Sequence, residues 1–298
     1  MNQSAMKRKT IWQICLLFSL IFVSGQTSAQ ISDAIYTFKA GGLERTYYLH
    51  KPIDLVKDAA LVFVLHGYGG NARFREHAIL DSLADRKGFA VCYPQGIKDG
   101  RGKTCWNVGY PFQEDMTVDD VDFLCKLARH LQKKYQLSKV NTFCTGLSNG
   151  GEMCYLLAYE KPDVFSAVAP IAGLTLVWMN KTLKCRKPIS LFEVHGTEDR
   201  TSEWWGDPTN KGGWGAYMAV PLAVGYWVAQ NHCTYEVTDT LLVKKNKNDH
   251  YVITHKYMGG DNENEVWLYE VVNGKHGWAL QDLNTFEEIW SFFERCMK

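Results

Sequence analysis

Five short runs that alternate with amphipathic stretches constrain the fold of this chain most strongly. The runs are continuous apolar or β-rich segments, as is typical of strands that are buried on both faces. They cover residues 61–65, 89–93, 140–144, 165–171 and 189–194. Because parallel strands need long crossover connections, usually helices, this pattern predicts an α/β fold with a mostly parallel central sheet.

Helical periodicity between these runs supports the same fold. From Val118 to Tyr135, apolar residues recur at steps of three and four, which predicts one buried helix face. Thr117, followed three residues later by Asp120, has the pattern of a capping box and predicts the start of that helix. Further elements are predicted as helices at 149–160, 221–230 and 286–296, a strand at 266–272, and a hairpin from 35–38 and 45–49.

The first 29 residues have the pattern of an export signal. Three basic residues precede a 13-residue stretch, 11–23, that is interrupted only by Gln13 and Ser19, and small residues follow at 27–29. An uncleaved N-terminal anchor is the alternative. Cleavage would leave residues 30–298 as one domain that does not span a membrane and is secreted or periplasmic.

Charge and cysteine content restrict the partners and the compartment. Beyond residue 29 the chain carries 30 basic and 32 acidic side chains, which is unlike a basic protein that binds nucleic acid. Export would place eight cysteines where disulfides persist. Cys92 and Cys144 lie in apolar runs and are expected to be buried thiols, and one or two disulfides are expected among the other six.

The strongest chemical signal is the segment Gly-Leu-Ser-Asn-Gly at 146–150. It directly follows the predicted strand 140–144 and directly precedes the predicted helix 149–160. In that context, Gly-x-Ser-x-Gly is typical of a nucleophile elbow, a tight turn that presents the serine hydroxyl above the sheet. Ser148 is therefore the predicted nucleophile, and a glycine-rich helix start without catalysis is the alternative.

A serine hydroxyl needs a base, and the base needs a group that orients it. In folds with this elbow the chain order is Ser, then Asp or Glu, then His. Asp199 follows the predicted strand 189–194 and is the predicted acid, with Glu198 as the competitor. His276 follows the predicted strand 266–272 and is the predicted base. His195 is expected to support the loop that carries Asp199.

The segment His-Gly-Tyr-Gly-Gly at 66–70 predicts a site for the negative charge that develops during acyl transfer. It follows the first apolar run, and such charge is stabilised by preorganised N–H donors. The backbone N–H groups of Tyr68 and Asn149 are the predicted pair. An ordinary glycine-rich turn is the alternative.

Other site chemistries find no support in the sequence. It has no His-Glu-x-x-His, no Cys-x-x-Cys and no glycine-rich phosphate-binding motif, so neither a metal nor another cofactor is expected. The stretch 201–217 holds three tryptophans among glycines and proline, which predicts a long irregular loop.

With these motifs in place, the chain resembles the polyhydroxybutyrate depolymerase-like esterases and family 1 carbohydrate esterases of the α/β-hydrolase superfamily, which include feruloyl and acetylxylan esterases. The resemblance runs from about residue 35 to the C-terminus. It depends on the segments LHGYGGN at 65–71, YPQG at 93–96, CWN at 105–107, VDDV at 118–121, GLSNGG at 146–151, AVAPIAG at 167–173, HGTED at 195–199 and HGW at 276–278.

The resemblance implies a single-domain α/β-hydrolase fold and a serine esterase with Ser148, Asp199 and His276 as the triad and Tyr68 and Asn149 as oxyanion donors. Two departures from the family pattern affect the substrate region. Ala279 stands where the family has proline, and a tryptophan-rich insertion follows Asp199.

A feruloyl esterase that acts on ester-decorated plant polysaccharide or oligosaccharide is the expected function. Acetylxylan esterase and polyester hydrolase are alternatives within the same chemistry. A peptidase and a glycan-binding protein without turnover are the others. Because flat rings stack on cinnamoyl groups and sugar faces, the predicted substrate contacts are Trp106, Trp204, Trp205 and Trp278.

Overall fold

The continuous apolar runs form the centre of one twisted sheet. A computed structural model describes residues 35–74, 76–243 and 249–298, and Asp33–Lys298 is one compact unit. The predicted signal peptide, residues 1–29, lies outside the described residues. The domain boundary at residue 30 therefore remains a prediction.

The strands of the described residues are β1 Ile35–Ala40, β2 Leu43–His50, β3 Leu61–Leu65, β4 Ala90–Pro94, β5 Ile97–Lys98, β6 Thr104–Cys105, β7 Thr142–Leu147, β8 Ala167–Ile171, β9 Ser190–Gly196, β10 Tyr235–Leu242, β11 Tyr251–Met258 and β12 Val266–Val272. Ten of them form the sheet in the order β1-β2-β4-β3-β7-β8-β9-β12-β11-β10. Neighbours from β4 to β12 pair in parallel, whereas β1, β2, β10 and β11 pair antiparallel at the two edges. A separate pair is formed by β5 and β6.

Helices cover both faces of the sheet, which explains why its central strands are apolar on both sides. The helices are α1 His77–Lys87, α2 Asp120–Tyr135, α3 Asn149–Glu160, α4 Val177–Thr182, α5 Val220–Gln230 and α6 Thr285–Arg295. In β3, Leu61 and Phe63 belong to the core shared with α2, α3 and α5, whereas Val62 and Val64 belong to the core shared with α1 and α6. The predicted fold class is confirmed.

The start of α2 differs from its prediction. The helix begins at Asp120, and its cap is Asp119, whose carboxylate accepts a hydrogen bond from the Asp122 N–H at 2.7 Å. Asp120 is not available as the acidic partner of a capping box, because its buried side chain pairs with Arg45 on β2 and accepts from the Asn107 N–H. The long-range ion pair thus moves the cap two residues along the chain.

The expectation of one or two disulfides is also corrected. All eight described cysteines are free thiols in the structure, and five of them are buried. The sulfurs of Cys144 and Cys154 are 3.6 Å apart, well beyond the length of about 2.05 Å for an S–S bond. Cys92 and Cys144 are buried thiols, as predicted.

The described helices include none that combines the length and the apolar character needed to cross a bilayer.

Candidate active site

Four loops at the carboxyl ends of neighbouring parallel strands build the site. Ser148 follows β7 directly, the loop that begins at His66 follows β3, Asp199 lies three residues after β9, and His276 lies four residues after β12. Ligand sites of open parallel sheets form at this edge. The sheet order therefore brings together residues that are far apart in the chain.

Ser148 occupies a strained turn between β7 and α3. Its φ is 55° and its ψ is −121°, which is an unfavourable conformation for any residue with a Cβ. The turn is possible because its neighbours lack side chains: a Cβ on Gly150 would lie 2.4 Å from the Leu65 carbonyl oxygen, and one on Gly146 would lie 2.5 Å from the Gly150 backbone. This is the geometry of a nucleophile elbow.

Asp199 and His276 form a direct pair. Asp199 Oδ2 lies 2.7 Å from His276 Nδ1, and Asp199 Oδ1 accepts from the Thr201 and Ser202 N–H groups, each at 2.8 Å. Burial alone would raise the pKa of Asp199, but its hydrogen bond to His276 and the charge of that ring outweigh burial and lower the pKa. The aspartate is thus held ionised and oriented toward the imidazole.

Asp199 is buried, whereas Glu198, the competing acid, is exposed. Its N–H donates to the Gly274 carbonyl at 2.9 Å, which joins the loop after β9 to the loop after β12. A Cβ on Gly196 would lie 2.3 Å from that same carbonyl oxygen, so the two loops pack backbone against backbone. This close packing explains why Asp199 reaches His276.

The predicted oxyanion loop lies against the elbow. A Cβ on Gly67 would lie 3.5 Å from the Ser148 Cβ, so the backbone after β3 passes beside the serine. Asn149 is the first residue of α3, where an N–H has no partner within the helix. In the described chain the Tyr68 N–H likewise has no backbone partner. The roles of Tyr68 and Asn149 as oxyanion donors stay predictions.

The buried ring of His66 holds this loop through hydrogen bonds to the backbone. Its Nδ1 lies 2.8 Å from the Gly67 carbonyl oxygen, and its Nε2 accepts from the Gly96 N–H at 3.0 Å. These partners require a neutral ring with the proton on Nδ1. Burial lowers the pKa of His66 to about 4, so the ring stays neutral across the physiological pH range.

Trp106 is not a substrate contact, which corrects its predicted role. The residue is fully buried, and its indole N–H donates to the His66 carbonyl at 2.9 Å. Its backbone N–H and carbonyl bond the Asn149 side chain at 2.7 and 3.1 Å. Trp106 thus fixes both loops that supply the predicted oxyanion donors.

The remaining predicted tryptophans lie in different environments. Trp204 is only 5% exposed and packs with its ring centre 6.0 Å from that of His195, so its predicted substrate contact is corrected as well. Trp205 is 77% exposed on the surface. Trp278 stacks on Phe74 with ring centres 5.5 Å apart and lines the cavity beside His276.

Trp214 is the aromatic residue of the 201–217 loop that reaches the oxyanion loop, and its role was not predicted. Its ring lies 5.3 Å from the Tyr68 ring and 5.8 Å from the Phe112 ring. The glycines on both sides of Trp214 were the sequence feature that indicated a sharp turn at this position. Gly213 and Gly215 have positive φ, which lets the chain fold back on itself.

A cavity of about 590 Å³ opens beside these groups. Its wall includes Tyr68, Leu147, His276 and Trp278, so the residue before Ser148 and the predicted base face one space. A smaller cavity of about 500 Å³ is also lined by His276, together with Glu198 and Asn273. The larger space is sufficient for an aromatic acyl group, since small-molecule sites span roughly 300–1,000 Å³.

Comparisons with known proteins show which families and folds this chain is similar to. Residues 43–184 match the profile of the family described as esterase PHB depolymerase. A bifunctional acetylxylan esterase/xylanase of Neocallimastix patriciarum is 25% identical over 159 residues, which cover 53% of this chain and 22% of that protein. Poly(3-hydroxyalkanoate) depolymerase C of Paucimonas lemoignei is 24% identical over 230 residues, which cover 76% and 53%.

Among solved structures, the acetyl xylan esterase from Aspergillus awamori superposes with a TM-score of 0.61 at 14% identity, covering 88% of this chain and 99% of that one. At this identity the likeness concerns the fold. The chain spans about half the length of the curated relatives it matches, or less. Sequence and fold together confirm that this chain resembles the polyhydroxybutyrate depolymerase-like esterases and has the α/β-hydrolase fold.

Proposed function

We propose that this chain is a serine carboxylic-ester hydrolase that acts through an acyl-enzyme on Ser148. The observation that carries the proposal is the 2.7 Å contact between Asp199 and His276 at the strand edge that also holds the Ser148 elbow. A binding protein has no need of an oriented carboxylate and imidazole together with a strained serine at the same edge of the sheet. Matches to esterases of two kinds support the same chemistry.

The proposed mechanism assigns one step to each group. His276 Nε2 takes the Ser148 proton while the serine oxygen attacks the ester carbonyl carbon. The Tyr68 and Asn149 N–H groups stabilise the oxyanion. Protonated His276 then gives its proton to the leaving alcohol, and water releases the acid by the same route. Asp199 holds the His276 tautomer and stabilises its cationic form.

For the substrate, we propose a hydroxycinnamoyl ester carried by plant cell-wall xylan. The stacked pair Trp278 and Phe74 supplies an aromatic wall on the cavity beside His276, which suits a flat acyl group. Trp205, exposed on the surface, is proposed to contact the polysaccharide. Secretion after removal of residues 1–29 belongs to the same proposal, because this substrate lies outside the cell.

Acetylxylan and polyester hydrolysis are the competing substrates, since relatives with those names match the chain. Wild type and Ser148→Ala are assayed on methyl ferulate, acetylated xylan and hydroxybutyrate oligomers. The proposal predicts the highest kcat/KM on methyl ferulate and its loss in Ser148→Ala. Hydrolysis of hydroxybutyrate oligomers alone would overturn the feruloyl assignment and leave the esterase assignment in place.

Trp278→Leu tests the aromatic wall, with Trp205→Leu as the matched control. Trp278→Leu should raise KM for methyl ferulate about tenfold and leave KM for a small acetate ester within about twofold, because only the flat group stacks. Trp205→Leu should leave both constants unchanged on these small esters. Thermal unfolding of each variant separates lost binding from lost stability, and equal losses on both esters would contradict the proposal.

A further inference from the structure

A second carboxylate and imidazole pair lies buried behind Asp199. His195 Nδ1 is 2.8 Å from Glu193 Oε1, and His195 Nε2 is 2.7 Å from the Ser202 carbonyl oxygen. The side chains of Glu193 and His195 are completely buried. His195 Nε2 is also 3.7 Å from Asp199 Oδ2, the oxygen that bonds His276.

The hydrogen-bond partners determine where the protons of this pair reside. The Ser202 carbonyl only accepts, so His195 Nε2 must carry a proton. Glu193 already accepts from the Tyr155 hydroxyl at 3.0 Å and from the Gly173 N–H at 3.3 Å, as an ionised carboxylate does. The remaining contact, with His195 Nδ1, is then satisfied by an N–H on the ring. With Glu193 ionised, both ring nitrogens carry a proton and the ring is a cation.

Electrostatics around the pair agree with this assignment. Burial alone lowers the pKa of His195, but its hydrogen bond to Glu193 and the negative charges of Glu193 and Asp199 outweigh burial and raise it. Burial raises the pKa of Glu193, whereas the hydrogen bond and charge of His195 and the hydrogen bonds from the Tyr155 hydroxyl and the Gly173 N–H act in the opposite direction and favour its ionised form. Because two carboxylates flank the imidazole, the cation is the better satisfied form.

We propose that His195 is a buried cation that positions Asp199 and keeps it ionised, and that Glu193 supplies the counter-charge. His195 acts through two contacts. Its Nε2 binds the backbone carbonyl of Ser202, and the backbone N–H of the same residue binds Asp199 Oδ1. His195 also places positive charge 3.7 Å from Asp199 Oδ2. His195 does not reach the reacting atoms, so it is a positioning residue. The inference rests on the proposed function of Asp199 and His276.

Charged and titratable groups from three parts of the described chain face the pair. On the β9 loop it is Asp199, with the partly exposed His276 beyond it; on α3 they are Tyr155, Cys154 and Glu152. Tyr217 faces Asp199 from the 201–217 loop. Burial raises the pKa of Glu152 to about 8, so at neutral pH it adds no negative charge.

The direct test is the ¹⁵N NMR spectrum of the histidine rings in the full wild-type protein, with His195→Gln used to assign the His195 signal. The proposal predicts that both His195 nitrogens are protonated at pH 7. A neutral ring with one bare nitrogen at pH 7 would overturn it. This readout requires no activity, so it stands apart from the test of the esterase assignment.

A kinetic test uses His195→Gln, which can still donate to the Ser202 carbonyl. Loss of the cation stabilises protonated His276, so the acid limb of kcat/KM should move to higher pH by about half a unit or more. His232→Gln, at a surface pair with Asp261, is the control and should leave the limb in place. A lowered kcat with an unmoved acid limb in folded His195→Gln would reduce His195 to a structural role and contradict the proposal.

Discussion

At the scale of single residues, neighbours in the chain have opposite environments. Glu198 is exposed and its N–H binds the Gly274 carbonyl, whereas the Asp199 carboxylate is fully buried against three donors. Because water is excluded from such a carboxylate, no water molecule competes with the imidazole for its oxygen. The choice between the two acids is therefore made by the loop backbone, which turns one side chain inward.

Replacement of these two acids gives a matched pair of variants. Asp199→Asn should lower kcat on the order of 10⁴-fold, because the amide presents an N–H to His276 and favours the wrong tautomer. Glu198→Gln should change kcat less than about threefold, as expected for an exposed side chain outside the pair. Steady-state kinetics on one soluble ester measures both, and equal losses would contradict the assignment of Asp199.

At the scale of elements, the strands and their ends were predictable, and the orientation of aromatic rings in loops was not. Continuous apolar runs identify buried strands, and Ser148, Asp199 and His276 were found because each follows such a run. Trp106 is buried against His66, which lies 40 residues away in the chain. Trp204 packs on His195, which is near in the chain but is brought to it only by the folded loop. No local pattern encodes such contacts.

The elbow allows a second matched comparison, between two glycines in helices. In Gly150→Ala the new methyl group would clash with the Leu65 carbonyl, so the free energy of unfolding should fall by about 2 kcal/mol or more and ester hydrolysis should be lost. In Gly225→Ala of α5 the new methyl group would meet open space, and the free energy of unfolding should rise by about 0.5–1 kcal/mol. Urea unfolding of both variants checks the expectation, which a stable, active Gly150→Ala would refute.

At the scale of the whole molecule, stability depends on buried carboxyl groups beneath the site. Glu152 lies one turn into α3, is buried and hydrogen-bonded to the Tyr110 hydroxyl, and has its pKa raised by burial from 4.5 to about 8. Between these values the folded protein holds a proton that the unfolded chain has lost. This contribution to stability is complete below pH 4.5 and is lost as the pH rises through about 8.

Glu152→Gln should therefore flatten the dependence of stability on pH. The amide keeps the size of the side chain and cannot ionise, so the wild type should lose free energy of unfolding relative to the variant between pH 5 and 9. Chemical unfolding at several pH values gives the two curves. Parallel curves would show that Glu152 ionises normally in the folded protein.

The central claim, that Ser148 is an activated nucleophile, is tested most directly by intact-protein and peptide mass spectrometry after treatment with a fluorophosphonate. The account predicts a single adduct on Ser148 in folded wild type, none in Ser148→Ala, and much slower labelling in Asp199→Asn. Folded wild type that takes up no label, or ester hydrolysis that survives in Ser148→Ala, would contradict it. The first of these outcomes would indicate a glycan-binding protein without turnover.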